Sequence, residues 1–269
     1  MPQIASRQCL WDGWNWTVIE VEMTRATGLY LRFVHGGVAG KPSTFVWGDG
    51  TVTTRPWSAS NDQYVSHTYP RYGRYTICVR GASSLGFRTL DGQSQFDYDA
   101  AILSFVDRTG DVTGSRSAAF KKAVNLKRFV APNAVWMGQR DFAYCSSLEE
   151  VVIGEVGIYY DGTFQYCPKL SKFTTKKSWT CWRYVWQGCT SLTELKLGDV
   201  EQFATQDFQN TPRLKDIWIA NKTVDQILQR ASSGSIVAGY GAKFPWGASK
   251  DCRFHGTDGV VLGSGIRIS

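Results

Sequence analysis

The chain has 269 residues, which corresponds to about two domains, and its 43% hydrophobic and 20% charged content is typical of a globular protein. Its longest nearly apolar run, Ala100 to Val106, is far shorter than the ~20 residues of a membrane-spanning helix, so membrane-spanning and wholly disordered proteins are excluded. Thirty Lys and Arg against 23 Asp and Glu give a net charge of +7, spread along the chain without a basic tail. We expect no nucleic-acid partner, because nucleic-acid binders concentrate their cations on one face.

Two segments of the N-terminal third have the pattern of β-structure. The run from Thr44 to Thr51 is apolar and ends in an Asp-Gly turn, which predicts a hairpin. A later turn is followed by Tyr75, Ile77 and Val79, whose alternation predicts a strand with these three residues on one face.

The motifs of these segments, W-G-D-G and H-T-Y followed by G-x-Y-x-V, resemble those of the PKD domain, an immunoglobulin-like β-sandwich, over about residues 14–82. The resemblance implies a spacer or carbohydrate-associated module whose Trp, His and Tyr pack the sandwich. The stretch from Gly81 to Asp99 is rich in Gly, Ser and Asp and is predicted to be a linker or the start of a first, irregular repeat at Ile102 to Val106. We assign residues 1–95 to the sandwich and linker.

A period of 22 residues dominates the middle of the chain, in five units that start at Phe120. Four columns of residues keep this spacing without an insertion. The aromatic column is Phe120, Phe142, Phe164, Trp186 and Phe208; the small column is Ala123, Cys145, Cys167, Cys189 and Thr211; the leucine column is Leu126, Leu148, Leu170, Leu192 and Leu214; and the fourth is Phe129, Val151, Phe173, Leu195 and Ile217. Alternation after each Leu predicts one short strand per unit, and stacking the units buries the columns inside a solenoid.

The F-x-x-C-x-x-L wording at 142–148 and 164–170, and its Trp186 variant, resembles the signature of BspA-like leucine-rich repeats over roughly residues 100–220. Trp186 and Thr211 depart from the signature. The resemblance implies a bacterial surface or secreted binding protein with no catalytic residues in the repeat itself. The predicted fold is therefore dominated by β-structure, with a PKD-like or immunoglobulin-like sandwich, a leucine-rich repeat solenoid over 96–220 and a small cap over 221–269.

The period stops after residue 220. Asn221 is predicted to cap a helix from Thr223 to about Arg230, and the remaining residues are predicted to form a β-hairpin or lid over the open end of the solenoid. We expect this cap to cover Trp218, which lies at an outward position of the last repeat.

Few residues suggest chemistry. His67 lies in the sandwich motif and is predicted to be a packed, hydrogen-bonded core residue, and His35 stands in a turn-like stretch. His255, with Cys252 and Asp258, offers fewer than the four ligands that zinc requires. The segment from Asp107 to Asp111 lacks the remaining ligands of a calcium loop, and a turn is favoured. We expect no metal, no cofactor and no enzymatic activity.

Seven cysteines are an odd number in a chain too long to depend on disulfides. Cys145, Cys167 and Cys189 would be neighbours in the stack, within the Cα distance that a disulfide allows. Three in a row cannot all pair, and parallel side chains pointing into the core favour small buried thiols.

The remaining candidates are outward aromatic residues on two adjacent repeats, with cations beside them. The predicted binding residues are Tyr160, Trp179, Trp182, Tyr184, Lys176, Lys177 and Arg183. Such a platform suits sugar rings or a protein partner, and docking of the sandwich or of Trp246 from the cap is an equal alternative. The leading hypothesis is a non-enzymatic adhesin on the cell surface or outside the cell. The alternatives are a virion component that recognises a bacterial surface and an accessory module of a glycan-degrading enzyme. The N-terminus shows no secretory signal pattern, so a virion or cytoplasmic location also stays open.

Overall fold

The computed structural model describes residues 15–58, 63–87, 101–115, 119–198, 200, 203, 206–220, 222–232 and 244–268. Within these ranges the chain forms eighteen strands and one helix, so the expected dominance of β-structure is confirmed. The strands make one sheet of 13 strands, here called the main sheet, and two smaller sheets of 3 and 2 strands.

The N-terminal third contains seven antiparallel strands in two groups. They are β1 (Thr17–Met23), β2 (Tyr30–Gly37), β3 (Ser43–Val46), β4 (Val52–Arg55), β5 (Gln63–Thr68), β6 (Gly73–Arg80) and β7 (Ala82–Phe87). The order β1-β6-β3-β4 belongs to the main sheet, and β5-β2-β7 forms the three-stranded sheet. Phe33 of β2 contacts Phe45 of β3 with ring centroids 5.8 Å apart, so the two groups share a core. The PKD-like assignment of these strands stays a prediction.

The predicted hairpin joins β3 and β4. The Thr51 backbone N–H donates to Oδ1 of Asp49 at 3.0 Å, and Gly48 and Gly50 have the positive φ that this turn needs. Tyr75, Ile77 and Val79 are buried on β6, as their alternation predicts.

The predicted linker and the predicted turn at His35 are both wrong in part. Ala82–Phe87 forms β7, which pairs with β2, and His35 lies buried inside β2. Small residues let the backbone of β7 lie close to its neighbours. The Gly36 N–H donates to Oγ of Ser84 at 3.1 Å, and a Cβ on Gly86 would lie 2.9 Å from Cβ of Ala119. Residues 88–99 of the predicted linker lie outside the described residues.

The solenoid is built from parallel strands of the main sheet. These are β8 (Ile102–Asp107), β9 (Arg128–Ala131), β10 (Glu150–Ile153), β12 (Lys172–Thr174), β14 (Glu194–Leu197) and β15 (Asp216–Ile219). Glu150 pairs with Arg128 on one side and Lys172 on the other, which is a shift of 22 residues at each step. A second, two-stranded sheet is formed by β11 (Glu155–Tyr159) and β13 (Lys177–Cys181) on another side of the repeat. The predicted period and solenoid are confirmed over residues 104–219.

The four predicted columns are buried throughout. Phe120 and Phe142 stack with ring centroids 5.2 Å apart at 3°, and Phe142 and Phe164 stack at 5.3 Å and 11°. Each thiol of the small column donates to the carbonyl of an aromatic residue one repeat earlier, as Cys167 does to Phe142 at 3.0 Å. The column therefore requires a small side chain, and the three thiols and the Thr211 hydroxyl add a hydrogen bond that Ala123 cannot make.

The C-terminal residues extend the stack. Helix α1 (Val224–Ser232) begins after Thr223, which exchanges hydrogen bonds with Gln226 in a capping box. Thr223 therefore caps the helix, while the predicted cap Asn221 lies outside the described residues. Strand β16 (Arg253–His255) pairs parallel with β15, and the predicted hairpin is formed with β17 (Val260–Leu262), followed by β18 (Arg267–Ile268).

Candidate functional site

In strand β11 of the second sheet, two partly exposed residues lie between two buried ones. Val156 and Tyr159 point inward in β11, with Gly157 and Ile158 between them. The Tyr159 hydroxyl donates to Oγ1 of Thr175 at 3.1 Å, so its buried polar end has a partner. Met137, Tyr159 and Cys181 are spaced by 22 residues and are all buried.

Tyr160 and Trp182 are the predicted site residues that the structure brings together. They follow β11 and β13 at equivalent positions of neighbouring repeats. Their ring centroids are 5.2 Å apart with an interplanar angle of 59°, and both side chains are half-buried. The pair is an aromatic contact that spans two repeats and stays open to solvent.

The other predicted aromatic residues lie in different settings. Trp179 lies in β13, and its side chain is outside the described part of the structure. Tyr184 is half-buried in the turn after β13 with a φ of 62°, at the position where the preceding repeat has Gly162.

The predicted cations are split between the two ends of β13. Lys176 and Lys177 stand where the strand begins, about five residues or ~16 Å before Trp182. Arg183 is next to Trp182, and its backbone N–H donates to Oδ1 of Asp161 at 3.1 Å. Only Arg183 is therefore placed beside the Tyr160–Trp182 pair.

The structure adds residues that the sequence interpretation missed. Val135 is 48% and Trp136 is 37% exposed in the repeat before Tyr160, and Ile158 is the equivalent of Trp136 in the next repeat. The Trp136 indole lies over Gly114, where an added Cβ would be 2.4 Å from its Nε1. The 22-residue spacing could have identified these residues had two outward positions per repeat been considered. We call the surface formed by Val135, Trp136, Ile158, Tyr160 and Trp182 the second face.

The cap packs elsewhere. Trp246 is buried and contacts Phe203, Phe244 and Phe254, at the end of the solenoid. Trp218 is stacked on His255 of β16 at 4.4 Å and 10°, which agrees with the expectation that the cap covers it.

Two Asp-His pairs contact indole rings. Nε2 of His67 lies 2.6 Å from Oδ2 of Asp49, and its ring stacks on Trp47, so His67 is packed and hydrogen-bonded as predicted, although it is half-buried and lies outside the core. Nε2 of His255 lies 2.7 Å from Oδ1 of Asp216.

The hydrogen bonds of these pairs outweigh the desolvation of their carboxyl groups. Burial by itself would raise the pKa of Asp216, but hydrogen bonds from Arg253 and His255 lower it overall. For Asp49, burial is likewise outweighed by hydrogen bonds from Thr51 and His67, and the pKa is lowered. Both aspartates are therefore held as carboxylates that bind their neighbours.

Buried carboxyl groups of the solenoid hold the backbone of the preceding repeat. Asp141 accepts hydrogen bonds from Ser115, from the Ala119 N–H at 3.1 Å and from the Gly138 N–H at 2.6 Å. Asp207 likewise accepts from the Val185 N–H at 3.1 Å. Burial raises the pKa of Asp141 to about 7 against these hydrogen bonds. Such groups are enclosed by the repeat and face no ligand.

Burial also disfavours chemistry at the cysteine thiols. Cys145, Cys167, Cys181, Cys189 and Cys252 are buried free thiols, whereas Cys78 is disulfide-bonded. Burial raises the pKa of Cys167, Cys181 and Cys189 well above the ordinary value, so few thiolates form at neutral pH.

The segment after β8 forms a turn. Oδ1 of Asp107 accepts from the Thr109 N–H at 3.0 Å, and Oδ2 accepts from the Val112 N–H at 3.3 Å. Across the described ranges, no group of three or more His, Cys, Asp or Glu side chains is arranged to hold a metal ion.

Residues 113–236 match the family model for the BspA type leucine rich repeat region in six copies. The solenoid is therefore a BspA-type leucine-rich repeat region, and the match begins seven residues before Phe120 and has one copy more than the five units counted from Phe120. No significant match was found among curated proteins or among solved structures. No helix in the described part of the chain is long and apolar enough to cross a lipid bilayer.

Proposed function

We propose that this chain is a non-enzymatic recognition protein that binds a glycan or a partner protein through the second face of its solenoid. The observation that supports this proposal is the Tyr160–Trp182 pair, which joins two repeats and remains open to solvent. Exposed Val135 and Trp136 extend the same surface over a third repeat. A contiguous apolar surface of this kind is a typical mark of an interaction site.

The family match supports a binding role in general. Solenoids present long surfaces, and residues that point outward are free to vary while the buried columns hold the fold. Trp, Tyr and Arg dominate the binding energy of many interfaces, and the second face has all three once Arg183 is included.

The expectation that the chain is not an enzyme stays a proposal. It is supported by the positions of the groups that could do chemistry. The thiols of the solenoid are buried, Asp141 is enclosed, and the carboxylates of Asp49 and Asp216 are engaged by their own neighbours.

A location on the cell surface or outside the cell is part of the proposal. The disulfide at Cys78 supports it, because disulfides persist in oxidising compartments. A virion component that recognises a bacterial surface and an accessory module of a glycan-degrading enzyme are the alternatives. In each case the N-terminal strands would act as a PKD-like spacer that presents the solenoid.

The test is a glycan and protein array, followed by binding measurements on substituted proteins. We expect Tyr160→Ala combined with Trp182→Ala to abolish binding to the protein or uncharged glycan that the array identifies, at about 2 kcal/mol or more for each residue. The matched control is Trp57→Ala with Tyr72→Ala, which removes a Trp that is 46% exposed and a Tyr that is 51% exposed from loops of the N-terminal part. The control should bind like the wild type.

Thermal unfolding of both pairs completes the test. The Tyr160 and Trp182 variant should melt within a few degrees of the wild type, because half-exposed side chains contribute little to the buried columns. If it loses several kcal/mol of stability, the pair is intramolecular packing and the proposal fails.

A further inference from the structure

A second aromatic surface lies on a different edge of the solenoid, in the turns that precede the small column. Tyr144 and Tyr166 occupy equivalent positions there and are 42% and 39% exposed. Their ring centroids are 5.1 Å apart at an interplanar angle of 30°. This contact crosses from one repeat to the next, as the Tyr160–Trp182 contact does, but it involves other residues.

The backbone at these tyrosines has a conformation that favours glycine. Tyr144 has a φ of 66° and Tyr166 a φ of 57°, and the next member of the column is Gly188 with a φ of 76°. A non-glycine residue in this region costs about 1–2 kcal/mol. Since the two rings are exposed, the stabilisation from burying them offsets little of this cost. The repeat therefore does not need tyrosine here, because glycine meets the requirement one repeat later.

The contacts of the rings leave their edges and hydroxyls for a ligand. The ring of Tyr144 contacts that of Tyr166. The ring of Tyr166 lies over Gly188, where an added Cβ would be 2.5 Å from Cδ1 of Tyr166. Within the described ranges neither hydroxyl has a hydrogen-bond partner. The surface thus offers hydroxyl groups beside apolar ring edges, while Tyr166 is in contact with Tyr144 and with Gly188 along the solenoid.

A cluster of cations begins at the N-terminal end of this surface. Lys122 is the member of the tyrosine column that precedes Tyr144, and its N–H donates to the carbonyl of Ala143 at 2.8 Å. Arg140 opens the turn that carries Tyr144, because the Ala143 N–H donates to the Arg140 carbonyl at 3.2 Å. Lys121 precedes Lys122 in the chain and is close enough to both Lys122 and Arg140 to be affected by their charges.

The cations of this cluster repel one another. The pKa of Lys121 is lowered by partial burial, by Arg140 and by Lys122, with no acidic group acting in the other direction. In the part of the chain that the structure describes, no carboxylate lies within ion-pair distance of Lys121 or Arg140. The acids on nearby turns are engaged elsewhere, since Asp141 is enclosed and Asp161 accepts the Arg183 N–H. The cluster therefore has a positive potential that a ligand could neutralise.

We infer that Tyr144, Tyr166, Lys121 and Arg140 form a binding site for a glycan chain that carries carboxylate or sulfate groups. The cations would take the acidic groups, and the tyrosine hydroxyls and ring edges would contact the sugar hydroxyls and C–H groups. A nucleic acid fits less well, because bases need open ring faces for stacking and Tyr166 is in contact with Tyr144 and with Gly188. The site is separate from the second face and does not depend on the function proposed for that face.

The experiment measures binding of heparin and polygalacturonate to the full chain, with dextran of similar length as the neutral comparison. We expect the two acidic polysaccharides to bind with an affinity that falls as salt rises, and dextran not to bind. The first variant is Tyr144→Gly with Tyr166→Gly, which removes both rings and leaves a residue that favours this backbone. Its affinity should fall at least tenfold while its melting temperature is maintained or raised.

The second variant is Lys121→Gln with Arg140→Gln, which should lose affinity and show a shallower salt dependence. Its matched control is Lys169→Gln with Arg213→Gln, which removes the same charge from exposed positions elsewhere on the solenoid. The control and the Tyr160 and Trp182 variant should both retain acidic-polysaccharide binding. No binding to either acidic polysaccharide, equal loss in the charge control, unchanged affinity in the glycine variant, or tighter binding of a single-stranded oligonucleotide would each overturn the inference.

Discussion

Single residues in the turns are chosen by backbone conformation as much as by chemistry. Two columns in each repeat adopt a positive φ, and one of them runs through Arg140, Gly162, Tyr184 and Gln206. Tyr184, which the sequence suggested as a binding residue, therefore occupies a position that glycine fills one repeat earlier. Its half-burial agrees with a side chain that lies along the turn.

The other left-handed column provides a test at Gly188. We expect Gly188→Ala to lower the free energy of unfolding by about 1–3 kcal/mol, because the new Cβ would meet the Tyr166 ring and φ is +76°. The matched control is Gly157→Ala, since an added Cβ there meets nothing within 4 Å. Urea unfolding of the two variants gives the comparison. Equal stability would mean that the turn adjusts and that the left-handed columns are not required.

The buried carboxyl group of Asp141 predicts a dependence of stability on pH. The pKa of Asp141 is raised from 3.8 to about 7 by burial, so between these values the native state binds a proton that the unfolded chain has lost. The free energy of unfolding should therefore fall as pH rises through this window, by up to about 1.4 kcal/mol per pH unit. Outside the window Asp141 should cause no further change of this free energy with pH.

The Asp141→Asn variant isolates this effect. The substitution removes the titrating group, so the difference in stability between wild type and variant should change between about pH 4 and about pH 7. Urea unfolding at both ends of the window measures it. A difference that is independent of pH would show that Asp141 is ionised in the folded protein at both ends.

At the scale of the repeat element, stability comes from columns rather than from any one repeat. Leu170 and Leu192 are fully buried in the middle of the leucine column. We expect Leu170→Ala or Leu192→Ala to cost about 2–5 kcal/mol through lost burial and a cavity. Lys169→Ala, at the exposed neighbouring position, is the control and should stay within about 0.5 kcal/mol of the wild type. A cost below about 1 kcal/mol at both leucines would contradict the inward register.

The small column predicts the redox state of the cysteines. Cys145, Cys167 and Cys189 each donate to a backbone carbonyl of another repeat, so they are packed as thiols and not joined. Alkylation after denaturation without reductant should label all three, and mass spectrometry should find Cys78 unlabelled. A disulfide between Cys145 and Cys167, or between Cys167 and Cys189, would contradict this arrangement.

The repeat element was predictable because its columns recur at a fixed spacing. The inward columns and the strand after each Leu follow from that spacing alone. The hydrogen bond of each thiol and the left-handed turns could not be predicted from that spacing. A left-handed position shows no constant residue type in the sequence, because Tyr, Gly and Asn all occur in the same column. The separation of Lys176 and Lys177 from Trp182 was missed because nearness in sequence does not give distance along an extended strand.

The two parts of the molecule share one sheet. Strand β8 pairs antiparallel with β1 and parallel with β9, so it is both the edge of the N-terminal group and the first rung of the solenoid. The sequence pattern could indicate the rung at Ile102 to Val106 but not its second partner, because pairing with β1 depends on a contact about 85 residues away in the chain. Buried residues of both parts belong to one continuous core.

This shared strand predicts that the chain unfolds as a unit. Phe105 of β8 is fully buried, stacks on Phe129 at 4.8 Å and meets Phe120 edge-on at 5.7 Å, while its neighbours Ile102 and Ile19 belong to the same core. We expect calorimetry of the wild type to show a single transition, and Phe105→Ala to lower its midpoint by an amount that corresponds to about 3–5 kcal/mol. Tyr72→Ala, on the surface of the N-terminal part, should leave the transition unchanged. Two separate transitions in the wild type, or a Phe105→Ala effect confined to one of them, would mean that the N-terminal strands and the solenoid are independent units joined at a weak edge.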